Sequence, residues 1–291
     1  MSAQPGLSQA GGLKLATTPK TRPAQPPAHD AAAPFDNELL AALLAETCSR
    51  CAPQLRPVSL APGQVLCEAG ATPLHAVFPV DAVVSLAYIT RDGASAEVAA
   101  IGREGMVGLP LLMGGDSMSL RAVVQAAGSA WRLPALVLRD EMQRCGPATS
   151  LLLRWVLTLA AQVAQSAACN RHHSIEQQLC CRLLVGLDGR GGDGEELLLT
   201  HEAAAQLLGV RRESVTAAAL ALQQAGVIRY HRGRIEILSR PALERRSCEC
   251  YASARRERQR FSPEGRRAGL LTSLLHSAAA ATALPQRSLG G

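Results

Sequence analysis

Aromatic residues are nearly absent from this chain. Two Trp, three Tyr and three Phe make up 3% of its 291 residues. A core of stacked rings is therefore excluded, and Leu, Val and Ala must fill the interior. No stretch approaches the ~20 consecutive apolar residues of a membrane-spanning helix, so no membrane partner is expected. The opening "MSAQPGLSQAGGLKLATTPK" lacks the basic start and apolar stretch of a secretory signal, and a cytoplasmic protein is expected. Also missing are a nucleophile–base pairing, a metal-ligand cluster and a phosphate-binding loop, which speaks against an enzyme and against a bound cofactor or metal.

Hydrophobic residues make up 47% of the chain and the mean hydropathy is +0.07, as expected of a folded protein with a sizeable core. The length allows two domains. Nine cysteines, an odd number without an export signal, argue against a disulfide framework. Most are expected to be small buried hydrophobes.

The formal charge is +6, and it is localised. Between Thr200 and Arg260 twelve arginines stand against six acidic residues, so this segment carries the excess of the whole chain. A basic segment on a neutral body points to a polyanion, usually nucleic acid.

Along the chain, residues 1–34 are rich in Ala, Pro, Gly, Ser and Thr without periodicity, the texture of a disordered leader. "DNELLAALLAET" predicts a short helix with Asp36 as N-cap. From Arg56 to about Leu133, short β-rich runs ("PVSL", "QVLCEAG", "HAVFPV", "AVVSLAYIT", "AEVAAIG", "RAVVQAAG", "AWRLP") alternate with turn signals, predicting an all-β barrel or roll. Arg91-Asp92-Gly93 is its best hairpin tip. After Gly146-Pro147 the apolar spacing turns helical for more than twenty residues. Leu152, Trp155 and Leu159 form a stripe, read as a dimer seam, with Leu151, Leu153, Val156 and Leu157 on a second apolar face. A helix over 174–187 follows. Thr200 then caps a helix over 201–208, Gly209 ends it, and a second helix runs from about Arg211 to Gln224. "VIRYH" and "RIEIL" are strands joined through Arg232-Gly233. The expected division is a leader (1–34), a sensor roll (35–145), a dimerisation helix (146–170), a winged DNA-binding domain (171–250) and a basic tail (251–291). The fold class is α+β.

"LGVRRESV" carries the functional argument. Two adjacent arginines open an amphipathic helix, where the dipole prefers anions, so an external anion is expected to compensate them. Ala205 lets two helices approach, Gly209 turns the chain, and Val215 packs between the helices. This spacing fits a helix-turn-helix whose second helix enters the DNA major groove N-terminus first. Arg211, Arg212, Glu213, Ser214 and Thr216 are then the candidate groove residues, with Arg232 and Arg234 as phosphate contacts on the wing.

A β-roll, a long connecting helix and a winged module in this order resemble the CRP/FNR family of bacterial transcription regulators. The resemblance spans roughly Phe35 to Tyr251 and is strongest over "LTHEAAAQLLGVRRESV", where Arg212-Glu213-Ser214-Val215 matches the family's Arg-Glu-Thr/Ser-Val. It implies a homodimer on double-stranded DNA with Arg212 and Glu213 reading bases. RNA polymerase and an unidentified small-molecule effector are further partners to consider. One departure is Ala217, where the family often has another basic residue. A second lies in the roll: the family's cyclic-nucleotide binders use Gly-Glu-Leu/Ile, but Leu109 follows Gly108 and Pro110 follows it. The phosphate-binding arginine falls on Met118, or on Arg121 with a three-residue shift. Loss of cyclic AMP binding is therefore expected, with Gly102, Gly105 and Gly108 as turn glycines. Cys48, Cys51 and Cys67 lack the spacing of the family's iron–sulfur members. His172 and His173 are expected at a solvated helix end. Cys248 and Cys250 offer only two sulfurs, too few for structural zinc. The alternatives are a redox- or ligand-sensing regulator of the same fold, and an interaction protein with a degenerate winged helix.

Overall fold

The computed structural model describes residues 36–47, 50–189 and 196–261. The leader, Cys48 and the "AGLLTSLLHSAAAATAL" stretch lie outside them.

Helix α1 (Glu38–Thr47) is capped by Asn37, not by Asp36. The Leu40 N–H donates to Asn37 Oδ1 at 2.8 Å. The buried Asn37 amide also donates to the Pro79 and Gly105 carbonyls, which fastens the helix start to the roll. All seven β-rich runs form strands: β1 (Arg56–Leu60), β2 (Val65–Cys67), β3 (His75–Pro79), β4 (Val83–Ile89), β5 (Ser95–Ile101), β6 (Arg121–Ala126) and β7 (Gly128–Pro134). They pair antiparallel into two sheets, ordered β1-β7-β3 and β2-β6-β4-β5. Gly93, at φ +86°, turns the β4–β5 hairpin. Two helices of this half escape the periodicity reading: the short α2 (Pro110–Met113) and α3 (Ala135–Gln143).

The long helix α4 (Pro147–His172) lies against the roll. Here the structure corrects the expected seam. Leu152, Trp155 and Leu159 are buried in the core of their own chain, with Phe78, Ile101 and Leu151. The face left exposed carries Leu153 and Leu157, then Ala160, Ala161, Ala164 and Ala168. An amphipathic pattern shows that a face is buried but not by what. The helix is also apolar enough, with a mean hydropathy of 1.2 over its best window, to pass for a membrane span by length and composition alone. Arg154, Thr158, Gln162 and Gln165 interrupt it, so it holds no run of ~20 consecutive apolar residues.

Gly102 and Gly105 close a turn after β5, where the Gly105 N–H donates to the Gly102 carbonyl at 3.2 Å, and both also allow close approach. A Cβ on Gly105 would lie 2.6 Å from the Trp155 indole nitrogen, and one on Gly102 would lie 2.6 Å from the Gly189 backbone. Gly108 does need its freedom, at φ +123°.

The C-terminal half comprises α5 (Ile175–Gly189), β8 (Glu196–Leu198), α6 (His201–Leu208), α7 (Arg212–Gln224), β9 (Ile228–His231), β10 (Arg234–Ile237), α8 (Arg240–Arg246) and α9 (Glu249–Phe261). The hairpin gains an unexpected third strand, giving the order β8-β10-β9. Helix α9 crosses the expected domain boundary at residue 250 and packs on α4, where the Gln165 amide donates to the Cys250 carbonyl. The two halves also meet at β5. Arg182 of α5 donates to the fully buried Glu97, and a Cβ on Gly209 would lie 3.2 Å from the Ala96 side chain.

Candidate nucleic-acid interface

The helix-turn-helix is built from its cap outward. The Thr200 hydroxyl accepts from the Ala203 N–H at 3.0 Å and starts α6. Gly209 ends it in the left-handed region (φ 65°, ψ 33°), and the Val210 N–H returns to the Ala205 carbonyl at 3.0 Å. Ala205, Leu208 and Val215 are buried together with Ala218, Ala219 and Leu222. These small and branched side chains hold the two helices at their close crossing.

Arg211 is the extended N-cap of α7, and its carbonyl accepts from the Ser214 N–H. Arg211, Arg212 and Glu213 are exposed, while Ser214 is half-buried. No carboxylate among the described residues pairs with Arg211, Arg212 or Arg232. Thr216 is exposed but engaged: its hydroxyl donates to the Arg212 carbonyl and lies 3.0 Å from His201 Nδ1. The His201 ring in turn stacks on Tyr230, with centroids 4.0 Å apart. Burial, and then the Arg212 charge, hold His201 below its ordinary pKa. The ring thus links α6 to Thr216 of α7 and to Tyr230 of the wing.

At the wing, Arg232 (φ 47°) and Gly233 (φ 80°) form the tip. Arg234 behaves differently from Arg232, because it is paired with Glu196 at 3.1 Å. Arg229 is likewise paired with Glu236 at 2.7 Å. The missed strand β8 supplies the Glu196 partner, so sequence reasoning could not separate the two wing arginines.

In the roll, Met118 is buried and Leu109 precedes α2, whose first residue Pro110 offers no N–H. Arg121 is held by Glu68 at 2.9 Å. An open groove of ≈ 590 Å³ runs beside it, with Glu68, His75 and Arg132 among its polar lining.

A second constellation escaped the sequence reading. Cys169 on α4 and His173 just past its end meet Cys248 and Cys250 at the start of α9, with the four donor atoms within 4.8 Å of one another. His173 is thus no solvated helix end, and Cys248 and Cys250 have more than each other for company. Cys181 packs against the same group. Hydrogen bonds from Cys169 and Cys181 drive the Cys248 thiol below its usual range, and the same contacts raise both donors. Burial pushes Cys250 up to about 11. Cys51 departs from the free-thiol expectation, being disulfide-bonded.

Residues 57–145 match the cyclic nucleotide-binding domain, and residues 178–246 match the Crp-like helix-turn-helix domain. No curated protein matches the chain. Among solved structures, FixK2 from Bradyrhizobium japonicum is 15% identical, with a TM-score of 0.56 over 67% of this chain and 98% of its own. A putative transcriptional regulator of the crp/fnr family from Eubacterium rectale is 20% identical, with a TM-score of 0.54 over 67% of this chain and 91% of its own. The c-di-GMP responsive global regulator CLP from Xanthomonas campestris is 13% identical, with a TM-score of 0.52 over 68% of this chain and 99% of its own.

Proposed function

Because this chain belongs to the CRP/FNR family of DNA-binding transcription regulators, we propose that it acts in the cytoplasm as a homodimer on pseudo-palindromic DNA. Arg212 and Glu213 read base edges in this reading, with Arg211, Ser214 and Thr216 beside them. The family is one of regulators rather than enzymes. The observation that carries the proposal is the pair of arginines at the α7 N-terminus. They are exposed, lack a carboxylate partner among the described residues, and stand where the helix dipole disfavours them. DNA supplies the missing anions. Arg232 at the wing tip contacts phosphate, and Arg234 can join only by sharing its charge with Glu196. A gel-shift series against selected genomic fragments tests the reading, since it requires sequence preference and affinity that falls steeply with salt.

The dimer seam moves to the exposed face of α4. Leu153 and Leu157 are 46% and 69% exposed, and the alanines beyond them permit close helix packing. Leu153→Glu with Leu157→Glu should dissociate the dimer, while the fold is retained because both side chains point away from the core. Sedimentation decides: a wild type already monomeric at micromolar concentration would sink this assignment. Each twofold half-site then lies about one helical turn from the next.

Cyclic AMP is not the effector in this reading. The support is Leu109 in place of the ribose-binding acid, the buried Met118, and an Arg121 already neutralised by Glu68. Titration calorimetry should show no saturable heat with cyclic AMP at micromolar concentration, and a saturable isotherm would overturn the claim.

A further inference from the structure

The cysteine–histidine cluster lies where α4 ends and the DNA-binding half begins. Cys169 lies in the last turn of α4 and His173 is the extended residue that ends it, with the His173 N–H donating to the Cys169 carbonyl at 3.1 Å. Cys248 immediately precedes α9 and Cys250 lies in its first turn. The Cys169 and Cys248 sulfurs are 3.6 Å apart, and Cys250 Sγ is 3.6 Å from His173 Nδ1. Tetrahedral zinc, with bonds of about 2.3 Å to sulfur and about 2.0 Å to nitrogen, separates its ligands by roughly 3.8 Å (S to S) and 3.5 Å (S to N).

Packed thiols alone could reproduce the sulfur spacing. The imidazole discriminates. His173 turns Nδ1 into the cluster and presents Nε2 to Glu249 Oε1 at 3.2 Å. Metal-bound histidine typically holds this arrangement, with the second nitrogen donating to a carboxylate that fixes the tautomer and raises basicity. All three sulfurs are buried and His173 is half-buried, so the site is closed, as structural zinc sites are. An iron–sulfur cluster fits less well, because it spreads its protein sulfurs over several irons and these donors are too close together.

We infer that Cys169, His173, Cys248 and Cys250 bind one zinc ion per chain, through three thiolates and the His173 Nδ1. Binding involves no redox step. The thiol protons pass to solvent as zinc sheds its waters, so affinity rises with pH. The ion clamps α9 onto the end of α4 and fixes how the connecting helix enters the DNA-binding half.

The full-length protein, purified under reducing conditions from zinc-supplemented cells, should contain about one zinc per chain. Cobalt substitution should give the visible absorption of a tetrahedral thiolate site. Cys169→Ser with Cys248→Ser should abolish both signals. Glu249→Gln, a positioning change, should retain the site but weaken zinc affinity about 10–100-fold. Because the double variant could misfold, the native protein supplies its own control: its cluster thiols should resist alkylation until a chelator is added. Wild-type protein without zinc, without the cobalt spectrum, or with these thiols freely alkylated would overturn the inference. Recovery of a Cys169–Cys248 disulfide from the reduced preparation would do the same. The consequence for DNA rests on the regulator reading: stripped protein should bind its site more weakly. Metal content is measured without DNA, so a zinc-loaded protein that ignores DNA would refute only that reading.

Discussion

Arg212→Ala should erase the preference for a selected site over a scrambled one. An arginine bidentate to guanine contributes about 1–3 kcal/mol of discrimination, and a twofold dimer uses it in both half-sites. Folding should be nearly unaffected, since Arg212 is exposed at the first turn of α7 and makes no side-chain ion pair among the described residues. Arg232→Ala is the matched comparison. It should weaken both DNAs alike and flatten the salt dependence by about two units, as expected for one phosphate contact in each of the two half-sites. Affinities for the two DNAs over a salt series decide between them. An unchanged ratio in Arg212→Ala would remove its base-reading role and pass it to Arg211. The same series with Arg234→Ala should show a smaller change than Arg232→Ala, because Glu196 already neutralises Arg234.

The largest stability loss is expected inside the molecule. Arg182→Ala leaves the Glu97 carboxylate buried without its cation, and such one-sided deletions cost about 3–5 kcal/mol. Burial already raises the Glu97 pKa, with the Arg182 charge opposing that rise. Removing Arg182 raises it further. The folded protein then binds a proton more readily than the unfolded chain, so the penalty is greatest above the Glu97 folded-state pKa. It should shrink as pH falls toward the ordinary carboxylate range, where the group is neutral in both states. Denaturant unfolding at several pH values provides the measurement. Replacing both partners with leucine should recover much of the loss, since a buried pair can be exchanged for packed apolar groups at little cost. A loss in Arg182→Ala that is the same at every pH would show that packing, and not the stranded charge, is responsible.

Local order was legible in the residues themselves. Seven short β-rich runs bounded by turn residues became seven strands, because alternation and turn chemistry act over a few neighbours. The Thr200 cap, the left-handed Gly209 and the buried Ala205 and Val215 were legible for the same reason. So were the exposed arginines at the start of α7 and the resemblance they carry.

Where partners lie far apart in the chain, only the tertiary structure decided. The spacing of apolar residues on α4 announced two faces, and either could have met the roll. Packing on Phe78 and Ile101 chose the one with Leu152, Trp155 and Leu159 and left Leu153 and Leu157 to solvent. Strand β8 is three residues long, too short for a period, and exists through its pairing with β10. The Arg182–Glu97 pair joins residues 85 apart, and Cys169 meets Cys248 across 79. Periodicity describes how a helix or strand is sided. It holds no information on which distant side chain fills the opposing position, and that choice is made when the two domain cores close against each other.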